Sequence, residues 1–157
     1  MKFGTKVIHA GIEPDPSTGA IMTPIFQTST YAQESLGKHK GFEYARSQNP
    51  TRSALEANLA ALENGARALC FGSGLAAINA LLQTLNPGDE IISTNDLYGG
   101  SYRIFKKIFE NFGIIFHFVG MESTEAIKGK INSKTRLIWV ETPTNPMMNI
   151  IDIKAIA

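Results

Sequence analysis

The sequence predicts an α/β fold built on a parallel sheet covered by helices. Three observations carry this. Short apolar runs recur at residues 68–71, 90–93, 114–119 and 136–141. Runs of helical period alternate with them. The first strand passes through Gly72-Ser73-Gly74 directly into a helix-forming run, 74–85. Short apolar strands alternating with helices form a parallel sheet with both faces covered.

In chain order, residues 1–48 hold no sustained period. Pro14, Pro16 and Pro24 punctuate them, with turn formers Asp15, Ser17, Thr18 and Gly19 between. Residues 21–31 favour extended backbone, but Pro24 interrupts them. The segment reads as an extended arm with little regular structure, packed on something outside its own domain, a second subunit being the economical choice. Phe26, Tyr31, Phe42 and Tyr44 weigh against a disordered tail.

A helix is expected to start within 49–53. Ser53 and Glu56 have capping-box spacing, Leu55, Leu59 and Leu62 share a face, and Asn64-Gly65 supply a stop. Residues 86–89 form a turn. Helix 100–112 is predicted to bury Ile104, Phe105, Ile108 and Phe112, to expose Lys106, Lys107 and Glu110, and to end at Gly113. A short helix at 123–130 precedes the fourth strand. Residues 150–157 read as one helical turn capped by Asp152 and then cut off, so the chain is expected to be a fragment.

Composition sets bounds. Of 157 residues, 43% are apolar and 18% charged, which suits one packed domain. The net charge of +1, without a long basic run, gives no reason to expect nucleic-acid or membrane partners. Cys70, the single cysteine, implies a reducing, cytoplasmic setting and reads as a small buried residue. No run reaches membrane-spanning length, and the N-terminus lacks an apolar signal core. His9 and His39 are expected to be exposed and His117 packed and hydrogen-bonded. No metal-ligand spacing occurs. Met22, Met121, Met147 and Met148 read as gap fillers, and Trp139 as core.

In parallel sheets, ligands sit beyond the carboxyl ends of the strands. That placement gathers Ser73, Gly74, Tyr98 and Asn145 at one rim. The glycine turn leaves N–H groups at the positive end of a helix, which can bind phosphate, and the glycines allow close approach and unusual dihedrals. A tight turn that binds nothing is equally compatible with those residues. Taken alone, Tyr44 and Tyr98 read as half-buried tyrosines, Arg46 and Arg103 as solvated or ion-paired, and Asn145 as a turn former.

Five segments in register change those odds. FEYARSQNPTR (42–52), CFGSGLAA (70–77), DLYGGSYR (96–103), WVETPTNP (139–146) and the opening phrase Ile8-His9-Ala10-Gly11 resemble the pyridoxal-phosphate-dependent enzymes of cysteine and methionine metabolism. Cystathionine γ-lyase and cystathionine γ-synthase are the members it most resembles. The resemblance covers the whole chain but only the front part of the family's length. It implies the large domain of a fold-type I, aspartate-aminotransferase-like enzyme, incomplete here. Residues 1–48 would be an arm on a neighbouring subunit, and 49–157 the first part of the cofactor domain.

The resemblance also implies roles. Gly74 and Leu75 match backbone donors to the phosphate of pyridoxal 5'-phosphate. Tyr44 and Arg46 match a pair that reaches it from a neighbouring subunit, with Arg46 also at the substrate. Tyr98 matches the ring-stacking residue, which assists acid–base steps and touches substrate. Arg103 matches a position near the substrate carboxylate and Asn145 one near the ring oxygen. Glu141 is equally readable as a residue that orients the following turn. The implied reaction removes protons from Cα and then Cβ of an amino acid and eliminates or replaces the γ-substituent. The substrates implied are cystathionine, cysteine or an activated homoserine, and the implied assembly is a homotetramer.

The family's Schiff-base lysine and pyridine-nitrogen aspartate follow the ETPTNP segment and match nothing here. Lys106, Lys107, Lys128, Lys130, Lys134 and Lys154 are expected on outer faces or in turns, so this stretch alone is not expected to catalyse. The methionine γ-lyase branch carries cysteine where Gly100 stands, which disfavours that activity. Two other readings compete. Residues 72–77 also fit a Rossmann-type dinucleotide fingerprint, with Asp96 at a suitable distance, although that leaves the arm, Tyr98 and ETPTNP without a use. A non-catalytic α/β binding module is the third.

Overall fold

The computed structural model describes all 157 residues, in two compact units, Met1–Cys70 and Phe71–Ala157. The first contains α1 (Phe3–His9), a small hairpin of β1 (Gln33–Ser35) and β2 (Lys38–His39), and α2 (Pro50–Leu62). The second contains α3 (Gly74–Leu82), β3 (Glu90–Thr94), α4 (Gly99–Lys107), a 3-10 turn (Phe109–Phe112), β4 (Ile115–Val119), α5 (Thr124–Lys128), β5 (Thr135–Trp139) and α6 (Ile153–Ile156).

The leading segment is more regular than its sequence foretold, and within its own unit it packs on α2. Asn58 Nδ2 lies 2.8 Å from the Ala10 carbonyl and 3.1 Å from that of Lys6, satisfying the open end of α1. Lys6 Nζ returns to the C-terminus of α2, donating to Ala61 O at 3.1 Å and Asn64 Oδ1 at 3.0 Å. Gly11 turns the chain at φ +73°, and a Cβ there would lie 2.6 Å from Ala57 Cβ. The Ile8–Gly11 phrase is thus a helix-docking corner. Two of its aromatic residues pack together, with Tyr31 and Phe42 rings 5.6 Å apart.

The start of α2 differs from expectation. Asn49, not Ser53, is the cap. Its Oδ1 accepts from Thr51 N at 2.9 Å, and Pro50 occupies the first helical position, where a missing N–H costs nothing. The stop is as read. Asn64 adopts φ 53°, and the Gly65 N–H closes onto Ala60 O at 2.8 Å, a Schellman arrangement. Leu55 and Leu59 are exposed, because nothing in this unit covers their face. Residues 68–71 form no strand, since no neighbouring strand supplies a ladder. Leu69 is 66% exposed, and Cys70 is half-buried rather than buried.

The second unit has a parallel three-stranded sheet in the order β4-β3-β5. Every residue of the central strand β3 is buried. On one face Ile91 meets Leu82, Leu97, Phe109, Ile114 and Phe116. There Phe105 stacks on Phe116 at 4.7 Å and takes the edge of Trp139 at 5.7 Å. On the other face Ile92 meets Met121, Ile127 and Ile151. Gly113 ends the 3-10 turn at φ 81°, as expected of a left-handed cap. Three side-chain expectations fail. Ile108 and Phe112 lie on the outside, because α4 tightens into the 3-10 turn after Lys107 and rotates them off the core. Lys106 is half-buried, paired with Glu110 and lying over the Phe118 ring. Met22, Met147 and Met148 are exposed, and only Met121 fills a gap. No helix is long and apolar enough to cross a membrane.

Candidate functional site

The second unit brings several of the expected residues to one edge. α3 leads through the turn at 86–89 into β3 and packs on the sheet through Ile78 and Leu82, so it runs back along the strands. Its N-terminus therefore lies toward the carboxyl ends of the strands, where Tyr98 and the ETPTNP turn also emerge. At the tip of α3, Ser73 Oγ accepts from Ala76 N at 3.1 Å and Ser73 O accepts from Ala77 N at 3.1 Å. The N–H groups of Gly74 and Leu75 remain uncommitted. Neither Gly72 nor Gly74 has a positive φ, and a Cβ on either would meet nothing within 4 Å. The unusual dihedrals expected there are absent. What the glycines leave is open ground over a helix tip, which suits a phosphate held by main chain.

Tyr98 caps α4 without a side-chain bond and is 47% exposed. Its N–H donates to Glu141 Oε1 at 2.8 Å, across from the end of β5. Buried Gly100 makes room for the ring: a Cβ at position 100 would lie 2.3 Å from Tyr98 Cε1. Asn145 is exposed in a turn held on both sides, since Asp96 Oδ2 accepts from the Thr144 hydroxyl and from Met147 N at 3.0 Å. Thr142-Pro143 and Asn145-Pro146 are cis. Arg103 is exposed on α4 and has no carboxylate partner.

Tyr44 and Arg46 belong to the first unit. Their segment pairs with residues 29–31 through Tyr31 N to Glu43 O at 3.1 Å and Ala45 N to Ser29 O at 2.8 Å. The Arg46 guanidinium lies 4.9 Å from the Tyr44 ring centroid and meets no carboxylate. Sequence reasoning missed what holds it. Arg52 donates to Ala45 O at 3.2 Å and Ser47 O at 2.6 Å, bracketing Arg46. Glu56, expected in a capping box, instead faces Arg52 Nε at 3.5 Å and accepts from Cys70 N at 2.9 Å. With Asn49 as the cap, the Glu56 carboxylate is free for that duty.

The histidine expectations hold. His9 and His39 are exposed, and His117 Nε2 sits 2.6 Å from Glu90 Oε2, with Asn132 Nδ2 at 2.9 Å from the same oxygen. The Asn132 amide first, and then the His117 ring, hold the Glu90 carboxyl below its usual range. Glu90 opens β3 and Asn132 precedes β5, so this cluster reaches from the amino ends of those strands to mid-β4, while Tyr98 follows the carboxyl end of β3. No cluster of potential metal ligands is present.

Comparison with known proteins gives one consistent answer. A family model described as Cys/Met metabolism PLP-dependent enzyme matches residues 4–157. A probable cystathionine gamma-synthase of Herpetosiphon aurantiacus is 49% identical over 98% of this chain and 48% of its own length. A cystathionine beta-lyase of Coxiella burnetii is 48% identical over 98% of this chain and 40% of its own. The crystal structure of cystathionine gamma-lyase from Lactobacillus plantarum complexed with L-serine superposes with a TM-score of 0.93 at 44% identity, over 99% of this chain and 41% of that one. The chain thus spans less than half the length of these relatives. The fold is the expected one, part of the fold-type I large domain, and the match includes the leading segment that a dinucleotide-binding reading leaves idle. The chain belongs to the Cys/Met metabolism family of pyridoxal-phosphate-dependent enzymes.

Proposed function

We propose that the protein acts as a trans-sulfuration enzyme of the cystathionine γ-synthase or γ-lyase kind, and that this chain supplies the phosphate half of its cofactor site. The observation that carries this is the pair of uncommitted N–H groups at Gly74 and Leu75, beneath open ground at the tip of α3. Pyridoxal phosphate, when bound, supplies an electron sink for bond cleavage at an amino acid's Cα, Cβ and Cγ.

The chain's own residues have these tasks. Gly74 and Leu75 bind the phosphate through their N–H groups. A helix tip contributes about 0.3–1 kcal/mol to an exposed anion, modest for a dianion, so a cation is needed as well. Arg46, free of carboxylates, provides it from a neighbouring subunit and also meets substrate, with Tyr44 beside it. Tyr98 stacks on the cofactor ring, worth about 0.5–1.5 kcal/mol beyond burial, and its Oη holds or passes a proton. Asn145 contacts the ring oxygen, and Arg103 receives the substrate carboxylate.

The substrates are cystathionine, cysteine or an activated homoserine, the working form is a homotetramer built from dimers that share sites, and the compartment is the cytoplasm. Residues 1–48 serve as the arm and 49–157 as the start of the cofactor domain. The test is the cofactor content and product profile of the intact protein. A yellow protein that binds pyridoxal phosphate far more tightly than pyridoxal, with turnover of cystathionine or activated homoserine, is the expected result. Retention of a nicotinamide or flavin, or of no cofactor, overturns the proposal.

A further inference from the structure

The loops after β3 and β5 each lend a carboxylate to the other. Asp96, on the loop after β3, accepts from the Thr144 hydroxyl and from Met147 N at 3.0 Å, both on the loop after β5. Glu141, on the loop after β5, accepts from Tyr98 N at 2.8 Å, on the loop after β3. The exchange continues inward. Thr144 is 2% exposed, its hydroxyl accepts from Asn149 N at 2.8 Å, and its own N–H donates to Asn149 O at 3.0 Å. Loop backbone without a ladder is free to fluctuate unless side chains take its hydrogen bonds. Here the hydrogen bonds between the loop after β3 and the loop after β5 run through these two carboxylates, and they bracket Tyr98 and Asn145.

We infer that Asp96 and Glu141 are a reciprocal clamp, positioning residues that fix the Tyr98 ring and the Asn145 amide relative to each other. Neither need touch cofactor or substrate. The inference rests on the reading of Tyr98 and Asn145 as cofactor contacts. Because both carboxylates act as acceptors from N–H or O–H groups, the neutral amides Gln and Asn can replace them in that duty. Alanine cannot.

The experiment uses the intact protein with pyridoxal phosphate, as wild type, Glu141→Ala, Glu141→Gln, Asp96→Ala and Asp96→Asn. Three quantities are read: cofactor dissociation constant, visible circular dichroism of the bound cofactor, and amide hydrogen exchange at Tyr98 and Met147. The alanine variants are expected to bind cofactor about tenfold more weakly, the scale of one lost bond to a charged acceptor. Their visible dichroism falls, and exchange speeds up at Tyr98 in Glu141→Ala and at Met147 in Asp96→Ala. The Gln and Asn variants return all three toward wild type. Alanine variants with wild-type dichroism and affinity overturn the clamp while leaving the cofactor reading intact. A wild type that binds no pyridoxal phosphate sinks the functional reading instead, and the exchange data still report on the clamp. Should an alanine variant fail to fold, wild-type exchange decides: no protection at Tyr98 and Met147 overturns the clamp.

Discussion

The Arg52 guanidinium reaches back along the chain and donates to the Ser47 carbonyl at 2.6 Å. Its second arm takes Ala45 O, so the residue on either side of Arg46 is tied to the first turn of α2. The cation fixed by this geometry is Arg52. Arg46, between them, lies over the Tyr44 ring and meets no carboxylate.

Replacing Arg52 by lysine keeps the charge but loses the fork, since an ammonium cannot span both carbonyls and Glu56 at once. About 1–2 kcal/mol of stability should go with those bonds. Cofactor affinity in the intact protein should fall as well, because the Arg46 segment loosens. Urea unfolding and a pyridoxal phosphate titration check both. Unchanged affinity would remove Arg52 from any part in holding Arg46.

Gly11 offers a test that does not involve the cofactor. It needs φ +73° and leaves no room for a Cβ against Ala57 and Asn58 N, both 2.6 Å away. Gly11→Ala meets backbone strain of about 1–3 kcal/mol and a steric clash together. A loss of at least about 2 kcal/mol in denaturant unfolding is expected. A neutral result would mean that α1 is not seated on α2 as described.

These two glycine and arginine roles mark where sequence reading stops. The alternation of strands and helices was legible because β3, β4 and β5 are apolar runs bounded by turn residues, and their order on a parallel sheet follows from that. The strand at 68–71 was not, because a strand exists only with a partner, and an apolar run states a preference without naming one. The capping box at Ser53 and Glu56 misled because three-residue spacing fits several helix starts, and Asn49-Pro50 is the stronger signal. The placement of Tyr98 and the α3 tip at the carboxyl edge of the sheet was legible from topology alone. Asp96, Glu141 and Arg52 act across turns of irregular backbone, where no period announces a partner.

Gly100→Ala separates ring placement from stability. Alanine is better than glycine inside a helix by up to about 1 kcal/mol. The added Cβ would sit 2.3 Å from Tyr98 Cε1, so the ring must turn away. Melting temperature should hold or rise, while the visible dichroism of bound cofactor changes and its affinity falls. An unchanged spectrum in a folded variant would show that the Tyr98 ring does not stack on the cofactor.

Glu90 gives a pH dependence of known sign. The Glu90 side chain is 12% exposed, and Asn132 and His117 hold its carboxyl below its usual value near 4.5. A depressed carboxyl stabilises the fold fully above the usual value, where it is charged both folded and unfolded. That contribution disappears as pH falls through the lower folded value, because the unfolded chain has by then taken up the proton and the folded chain must follow. Glu90→Gln lacks this term, so the stability gap between wild type and variant should be constant near neutrality and shrink below about pH 4.5. Urea unfolding of both proteins from pH 3 to 7 measures the gap. Since Glu90 lies at the amino end of β3 and Tyr98 beyond the carboxyl end, cofactor affinity at neutral pH should not differ between them. A gap that widens in acid would reverse the sign and remove the hydrogen-bonded carboxylate from the stability of this sheet.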